Sequence, residues 1–76
     1  MAAEFIDTGT KTYTIRQIDE DSRVLSETPV EAASGEAAAK QLREVRSGTD
    51  RIEICLDGKA MNEMGVDYWR QRVRRR

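Results

Sequence analysis

The stretch Arg51-Ile52-Glu53-Ile54-Cys55-Leu56-Asp57-Gly58-Lys59-Ala60-Met61 (residues 51–61) indicates most directly how this chain folds. Its first half alternates apolar residues with more polar ones, so Ile52, Ile54 and Leu56 fall on one face. Such alternation is typical of a strand that is buried on one side only. The stretch therefore predicts a sheet with a single covered face.

A tight turn follows this strand. Asp57-Gly58 is a strong hairpin dipeptide, so residues 59–61 could fold back as a short fourth strand, and residues 62–65 are interpreted as a loop.

Cys55 alternates with the apolar positions and is predicted on the face opposite the core. The thiol is interpreted either as a redox-sensitive or partner-contacting group, or as a small apolar residue under a terminal segment.

The first part of the chain predicts a β-hairpin. Residues 11–18 are rich in β-branched and aromatic residues, residues 19–22 form a polar turn, and residues 23–27 could return as a second strand. Ile18 breaks the two-residue period, so the end of its strand is expected to bulge or leave the sheet. The two-residue period of this first strand places three side chains on one face: Tyr13, Ile15 and Gln17.

The central segment predicts the helix. Ser34 is the favoured N-cap, followed by a helix-forming run that extends to Arg46, and Gly48 supplies the stop. A second start at Thr28-Pro29 satisfies a capping box, but it would place Gly35 inside the helix at a cost of about 1 kcal/mol. The predicted core stripe of the helix is Ala38, Leu42 and Val45.

Together these elements predict an α+β fold. We expect a small, mainly antiparallel sheet of a β-hairpin, a third strand and a short fourth strand, with one packed helix and a short C-terminal basic helix. Residues 1–10 are expected to be loosely ordered, although Phe5 and Ile6 could tuck against the domain. Residues 11–66 are expected to form the single domain, and residues 67–76 an Arg-rich C-terminal element.

The residue types exclude most catalytic chemistry. The chain has no His and one Cys, so the commonest general base is missing and a thiolate–imidazole zinc site cannot be built. Its five Gly residues stand singly, without a phosphate-binding motif. Residues 19–21 are acidic but lack the spacing of a calcium loop, and a hairpin turn explains them better. We expect no enzyme activity, no cofactor, no metal and no small-molecule substrate.

The location of the protein is also constrained. No apolar run reaches the length of a membrane span, and the first residues lack the apolar region of a signal peptide. A single Cys suits a reducing compartment better than secretion. We therefore expect a cytoplasmic protein that does not bind membranes, with an oligomeric state that the sequence leaves open.

The charge distribution is strongly uneven. The last ten residues contain five Arg and one Asp, for a net charge of +4, whereas residues 1–66 carry −5. As a helix, this segment would align Val66, Trp69 and Val73 toward the domain. As a strand, it would place Tyr68 and four arginines on one face. Helix propensity favours the first geometry, and in both of them Trp69 and Val73 can anchor the segment.

This basic end is the candidate binding surface. The proposed contact residues are Tyr68, Trp69, Arg70, Arg72, Arg74, Arg75 and Arg76. One hypothesis is weak, salt-sensitive and sequence-indifferent binding to nucleic acid, with a salt slope of about −4 to −5 if all five arginines contact phosphates. The alternatives are docking on an acidic protein or on a second copy of the chain, and charge balance against the acidic body.

Overall fold

The computed structural model describes residues 9–74. Its elements are β1 (Lys11–Ile18), β2 (Val24–Ala32), α1 (Gly35–Gln41), β3 (Arg51–Leu56), β4 (Lys59–Gly65), α2 (Val66–Tyr68) and a π-helical turn (Trp69–Val73) that continues α2. We call α2 and this turn together the terminal helix. The strands form one antiparallel sheet in the order β2-β1-β3-β4. The α+β class is confirmed, whereas the expectations for Phe5 and Ile6 lie outside the described residues.

The crossover from β2 through α1 places β3 beside β1. Ile15 lies opposite Ile54, and both side chains are fully buried in the core beneath the helices. Because opposing residues of an antiparallel pair share a face, this pair defines the covered face of the sheet. The other buried members of the core cluster are Tyr13, Ala32, Ala38, Ala39, Leu42, Ile52, Val66, Trp69 and Val73.

Both hairpin turns follow from their residues. In the first turn, one carboxylate oxygen of Asp19 accepts hydrogen bonds from the backbone N–H groups of Asp21 and Arg23, at 2.8 and 2.9 Å. In the second turn, Asp57 and Gly58 have positive φ values of 55° and 82°, as the predicted tight turn requires. The irregularity expected at Ile18 is present as a register shift between Gln17 and Ile18.

Two strands are longer than the sequence predicts. β2 runs through the alternative helix start, and Pro29 lies opposite Thr14. Proline is tolerated there because β2 is an edge strand, which leaves its outer hydrogen-bonding positions unpaired. The loop predicted for residues 62–65 is also wrong, because a register shift at Ile54/Cys55 lets β4 continue to Gly65.

The central helix begins as predicted and ends early. The Ser34 hydroxyl accepts a hydrogen bond from the Ala37 N–H at 3.1 Å, which confirms the N-cap. The predicted end at Arg46 is wrong, since Leu42 is already extended. The Ala39 carbonyl, which a continuing helix would bond to residue 43, instead accepts from the Leu42 N–H and the Trp69 indole. Gly48 therefore lies in a loop rather than stopping a helix.

A buried glutamine holds the loop that replaces the missing helical turns. The Gln17 side-chain amide donates to the Glu44 carbonyl at 3.2 Å, and its oxygen accepts from the Arg46 N–H at 2.7 Å and the Thr49 hydroxyl at 3.1 Å. Gln17 is 3% exposed, yet both ends of its amide are satisfied. Val45 still packs against the core, but from this loop and not from a helix.

Candidate functional site

The terminal helix is held to the domain by its apolar side chains. Val66, Trp69 and Val73 are all buried, as the helical geometry predicts and the extended alternative does not. The Trp69 indole N–H donates to the Ala39 carbonyl at 2.8 Å. Trp69 is only 1% exposed, so its side chain anchors the helix and presents no surface to a partner.

Three of the proposed arginines lie on the outer side of this helix. Arg70, Arg72 and Arg74 are exposed, and the Arg74 guanidinium lies 5.7 Å from the centre of the Trp69 ring. That distance is within the range of a cation–π interaction, which favours a defined position for Arg74. Tyr68 is also exposed. Arg75 and Arg76 lie outside the described residues.

The ion pairs of residues 9–74 do not include these three arginines. Within residues 9–74, the ion pairs between side chains belong to Arg16 and Arg51. Arg70, Arg72 and Arg74 pair with no carboxylate in this part of the chain. The hypothesis of charge balance therefore finds no contact to support it among residues 9–74.

A recess between α1 and the terminal helix adds two further cations. It has a volume of about 400 Å³ and is lined by Lys40, Gln41, Leu42, Arg43 and Arg74, without an acidic side chain. Lys40 and Arg43 were not predicted as site residues from the sequence. No local signal could have found them, because the contact between Trp69 and Ala39 joins segments 30 residues apart.

Acidic side chains gather on the face of the sheet opposite the helices, which we call the far face. Glu27, Arg16, Glu53 and Glu63 lie opposite one another in a single row across all four strands. Arg16 pairs with Glu27 at 3.0 Å and with Glu53 at 3.8 Å. Arg51 also pairs with Glu63. Glu27 and Glu53 thus lie across the sheet from α1 and the terminal helix, whereas Glu63 on the edge strand β4 also lines cavities beside the terminal helix.

A larger cavity has no net preference for anions. It measures about 710 Å³ and lies between the loop after α1 and the start of the terminal helix. Its charged lining residues comprise three cations and three anions: Arg46, Asp50, Arg51, Glu63, Asp67 and Arg70. Opposite charges at such short range weaken each other's attraction for a ligand. The recess between α1 and the terminal helix differs from this cavity, because its charged lining residues are all cations.

Cys55 lies on the far face and is buried, with 2% of its surface exposed. Its position opposite the core agrees with the alternation in the sequence, and it is not part of the core cluster. Burial raises the pKa of the Cys55 thiol, Arg16 opposes this, and Glu53 and Glu27 add to it. A raised thiol pKa disfavours the reactive thiolate. The packing interpretation is therefore the better supported one.

We predict that native Cys55 reacts slowly with a thiol reagent such as DTNB. At mildly alkaline pH its rate should be at least about tenfold below that of the chain unfolded in urea, because burial limits both access and thiolate formation. The chain has a single Cys, so the absorbance change reports this residue alone. Equal rates in the native and unfolded chains would contradict the prediction.

Comparisons with protein-family models, with curated protein sequences and with solved structures found no match. Among residues 9–74, no helix is long and apolar enough to cross a membrane. In the same residues, no group of three or more His, Cys, Asp or Glu side chains is placed to hold a metal ion.

Proposed function

We propose that this protein is a small cytoplasmic, non-enzymatic module that binds nucleic acid through the phosphate backbone, without sequence preference. The contact groups are Arg70, Arg72 and Arg74 on the terminal helix, with Tyr68 beside them. Arg75 and Arg76 extend the same cationic end. The observation that carries the proposal is the exposure of three arginines on an anchored helix, none of which pairs with a carboxylate of residues 9–74.

The anchoring of this helix favours binding. Trp69 and Val73 fix its inner side in the core, so the arginines on its outer side start from a backbone that is already ordered. A preformed surface avoids part of the entropy that a disordered tail would lose on binding. Arginine is suited to this role because its planar guanidinium donates two parallel hydrogen bonds to phosphate.

The position of the acidic groups also favours the proposal. The net negative charge of residues 1–66 argues against a broad contact between the domain and a phosphate backbone. However, the carboxylates of Glu27 and Glu53 lie on the far face, and both pair with Arg16. A nucleic acid that approaches the terminal helix meets Lys40 and Arg43 beyond Arg74.

A protein partner, including a second copy of the chain, is the alternative. The observation that favours it is the exposed ring of Tyr68, which lines a shallow cleft of about 580 Å³ with Ala39, Met64, Glu36 and Glu63. Tyr and Arg are both common at interface hot spots. This version predicts that Tyr68→Ala prevents capture of a protein partner or self-association, measured by pull-down and by sedimentation, while the unmodified protein has no affinity for nucleic acid.

We predict that the substitutions R70Q/R72Q/R74Q weaken nucleic-acid binding at least about a hundredfold at low salt. Each phosphate contact contributes about −0.7 to −0.9 to the slope of log K against log salt, so the slope should become shallower by about 2 to 3. The measurement is fluorescence anisotropy of labelled single- and double-stranded DNA and RNA of mixed sequence, titrated at several salt concentrations.

A matched variant controls for net charge. K11Q/R23Q/K59Q also removes three positive charges, from exposed side chains at the ends of the hairpins. It should leave the salt slope within about half a unit of the unmodified protein, since these residues are not proposed phosphate contacts. Equal effects of the two variants, or no binding by the unmodified protein to any of the four nucleic acids, would overturn the proposal.

A further inference from the structure

The recess between α1 and the terminal helix is a cavity whose charged lining residues are all cations. Three of its lining residues are cations, Lys40, Arg43 and Arg74, and the other two are Gln41 and Leu42. Its volume of about 400 Å³ is larger than a phosphate group needs, so a phosphate can enter together with part of the sugar to which it is attached.

We propose that this recess binds one phosphate group of the nucleic-acid backbone and continues the contact surface from the terminal helix onto α1. The inference rests on the proposed function, because the terminal arginines bring the backbone to the recess. Arg74 belongs to both surfaces and joins them. The ligand class is a phosphate ester, bound as an anion by three side-chain cations.

The geometry of the lining supports this assignment. Arg74 lies over the Trp69 ring, and the Trp69 indole is bonded to the Ala39 carbonyl one residue before Lys40. The segments that carry the cations of the two helices are therefore held together by a buried hydrogen bond. The Gln41 amide donates to the Glu31 carbonyl at 2.7 Å, so this side chain is held on β2.

The C-terminal end of a helix is normally unfavourable for an anion, because its free carbonyl groups carry partial negative charge. Here the Ala39 carbonyl, at the C-terminal end of α1, accepts two hydrogen bonds, one from the Leu42 N–H at 3.3 Å and one from the Trp69 indole. Both donors reduce the negative potential at this end of α1. Lys40, Arg43 and Arg74 then outweigh the remaining partial charge, since an opposed helix dipole amounts to about half an elementary charge.

The test uses K40Q/R43Q, which removes two recess cations and leaves the terminal arginines in place. Binding of a single-stranded oligonucleotide should weaken about tenfold at low salt, and the salt slope should become shallower by about 1, because one phosphate contact is lost. In the unmodified protein, pyrophosphate titrated at low salt should shift the amide NMR signals of residues 40–43. These shifts should disappear in the variant.

Two further arms separate the sources of the anion. Oligonucleotides with and without a 5′-phosphate distinguish a terminal phosphate from an internal one, and the proposal expects equal affinities. Polyglutamate at the same charge concentration represents an acidic protein. If K40Q/R43Q weakens polyglutamate binding as much as oligonucleotide binding, the recess does not recognise phosphate and the inference is overturned.

The control K11Q/R23Q removes the same charge elsewhere and should leave the slope unchanged. If the unmodified protein binds oligonucleotides but K40Q/R43Q behaves like this control, the recess is excluded and the function proposed for the terminal helix stands. If the unmodified protein binds no nucleic acid, both proposals fail.

Discussion

Replacing Trp69 by Ala is expected to lower the free energy of unfolding by about 3 to 5 kcal/mol. The side chain is 1% exposed and belongs to the core cluster, so truncation leaves a large cavity between the sheet and the helices. It also removes the indole donor from the Ala39 carbonyl. A domain of this length is stabilised by only about 4 to 11 kcal/mol in total. Urea denaturation followed by circular dichroism measures the loss.

Two matched variants locate the origin of this effect. Trp69→Phe keeps most of the apolar ring but cannot donate to Ala39, and should cost about 1 to 2 kcal/mol. Tyr68→Ala truncates the exposed neighbouring aromatic residue and should cost about 0.5 kcal/mol or less. A loss for Trp69→Ala no larger than that for Tyr68→Ala would show that the terminal helix is not part of the core.

The burial of Trp69 changes how binding experiments must be designed. The sequence predicts Trp69 both as an anchor and as a candidate contact, and the second interpretation alone would make Trp69→Ala a test of binding. In the structure the same substitution removes core packing, so a loss of binding would report unfolding. Substitutions of Arg70, Arg72 and Arg74 avoid this ambiguity because these side chains are exposed.

Features with a local cause could be predicted from the sequence. The Ser34 cap depends on a hydroxyl three residues from its N–H donor, and the second hairpin turn depends on Asp57-Gly58 itself. The alternation of Ile52 and Ile54 identified the covered face of β3 for the same reason. In each case the decisive interaction lies within a few residues of the chain.

Features that depend on distant residues could not be predicted in this way. Residues 42–46 have good helix propensity. However, the Ala39 carbonyl accepts a hydrogen bond from the Trp69 indole, and backbone groups of the following loop are hydrogen-bonded to the Gln17 side chain. The length of β4 likewise depends on pairing with β3, because its side chains are mostly exposed and show no apolar alternation. Tertiary hydrogen bonds outweigh local propensity in both places.

Part of the candidate site could likewise be predicted and part could not. Arg70, Arg72 and Arg74 could be identified because they lie within one five-residue segment of the sequence. Lys40 and Arg43 join them only after α1 and the terminal helix pack together. The row of carboxylates on the far face also requires the register of the sheet. The sequence therefore identified the basic end as a candidate surface, but not its extension onto α1.

Replacing Gln17 by Leu is expected to lower the free energy of unfolding by about 2 to 4 kcal/mol. Leucine has a similar size, so little cavity forms, but the Glu44 carbonyl and the Arg46 N–H lose their partner beneath the loop. Leaving such partly buried polar groups unpaired costs about 1 to 3 kcal/mol each, unless water replaces the amide. Hydrogen exchange should show faster exchange of the Arg46 amide, and urea denaturation gives the global loss.

The control is the other glutamine that bonds to a backbone carbonyl. Gln41 donates to Glu31 from an exposed position, so Gln41→Leu should cost only about 0.5 kcal/mol. Gln17→Glu distinguishes the contributions of the two ends of the amide. A carboxylate can still accept a hydrogen bond from the Arg46 N–H but cannot donate one to the Glu44 carbonyl. If Gln17→Leu costs no more than Gln41→Leu, or leaves Arg46 exchange unchanged, the loop is held by the packing of Leu42 and Val45 alone. The early end of α1 would then have to be attributed to the indole of Trp69 and not to Gln17.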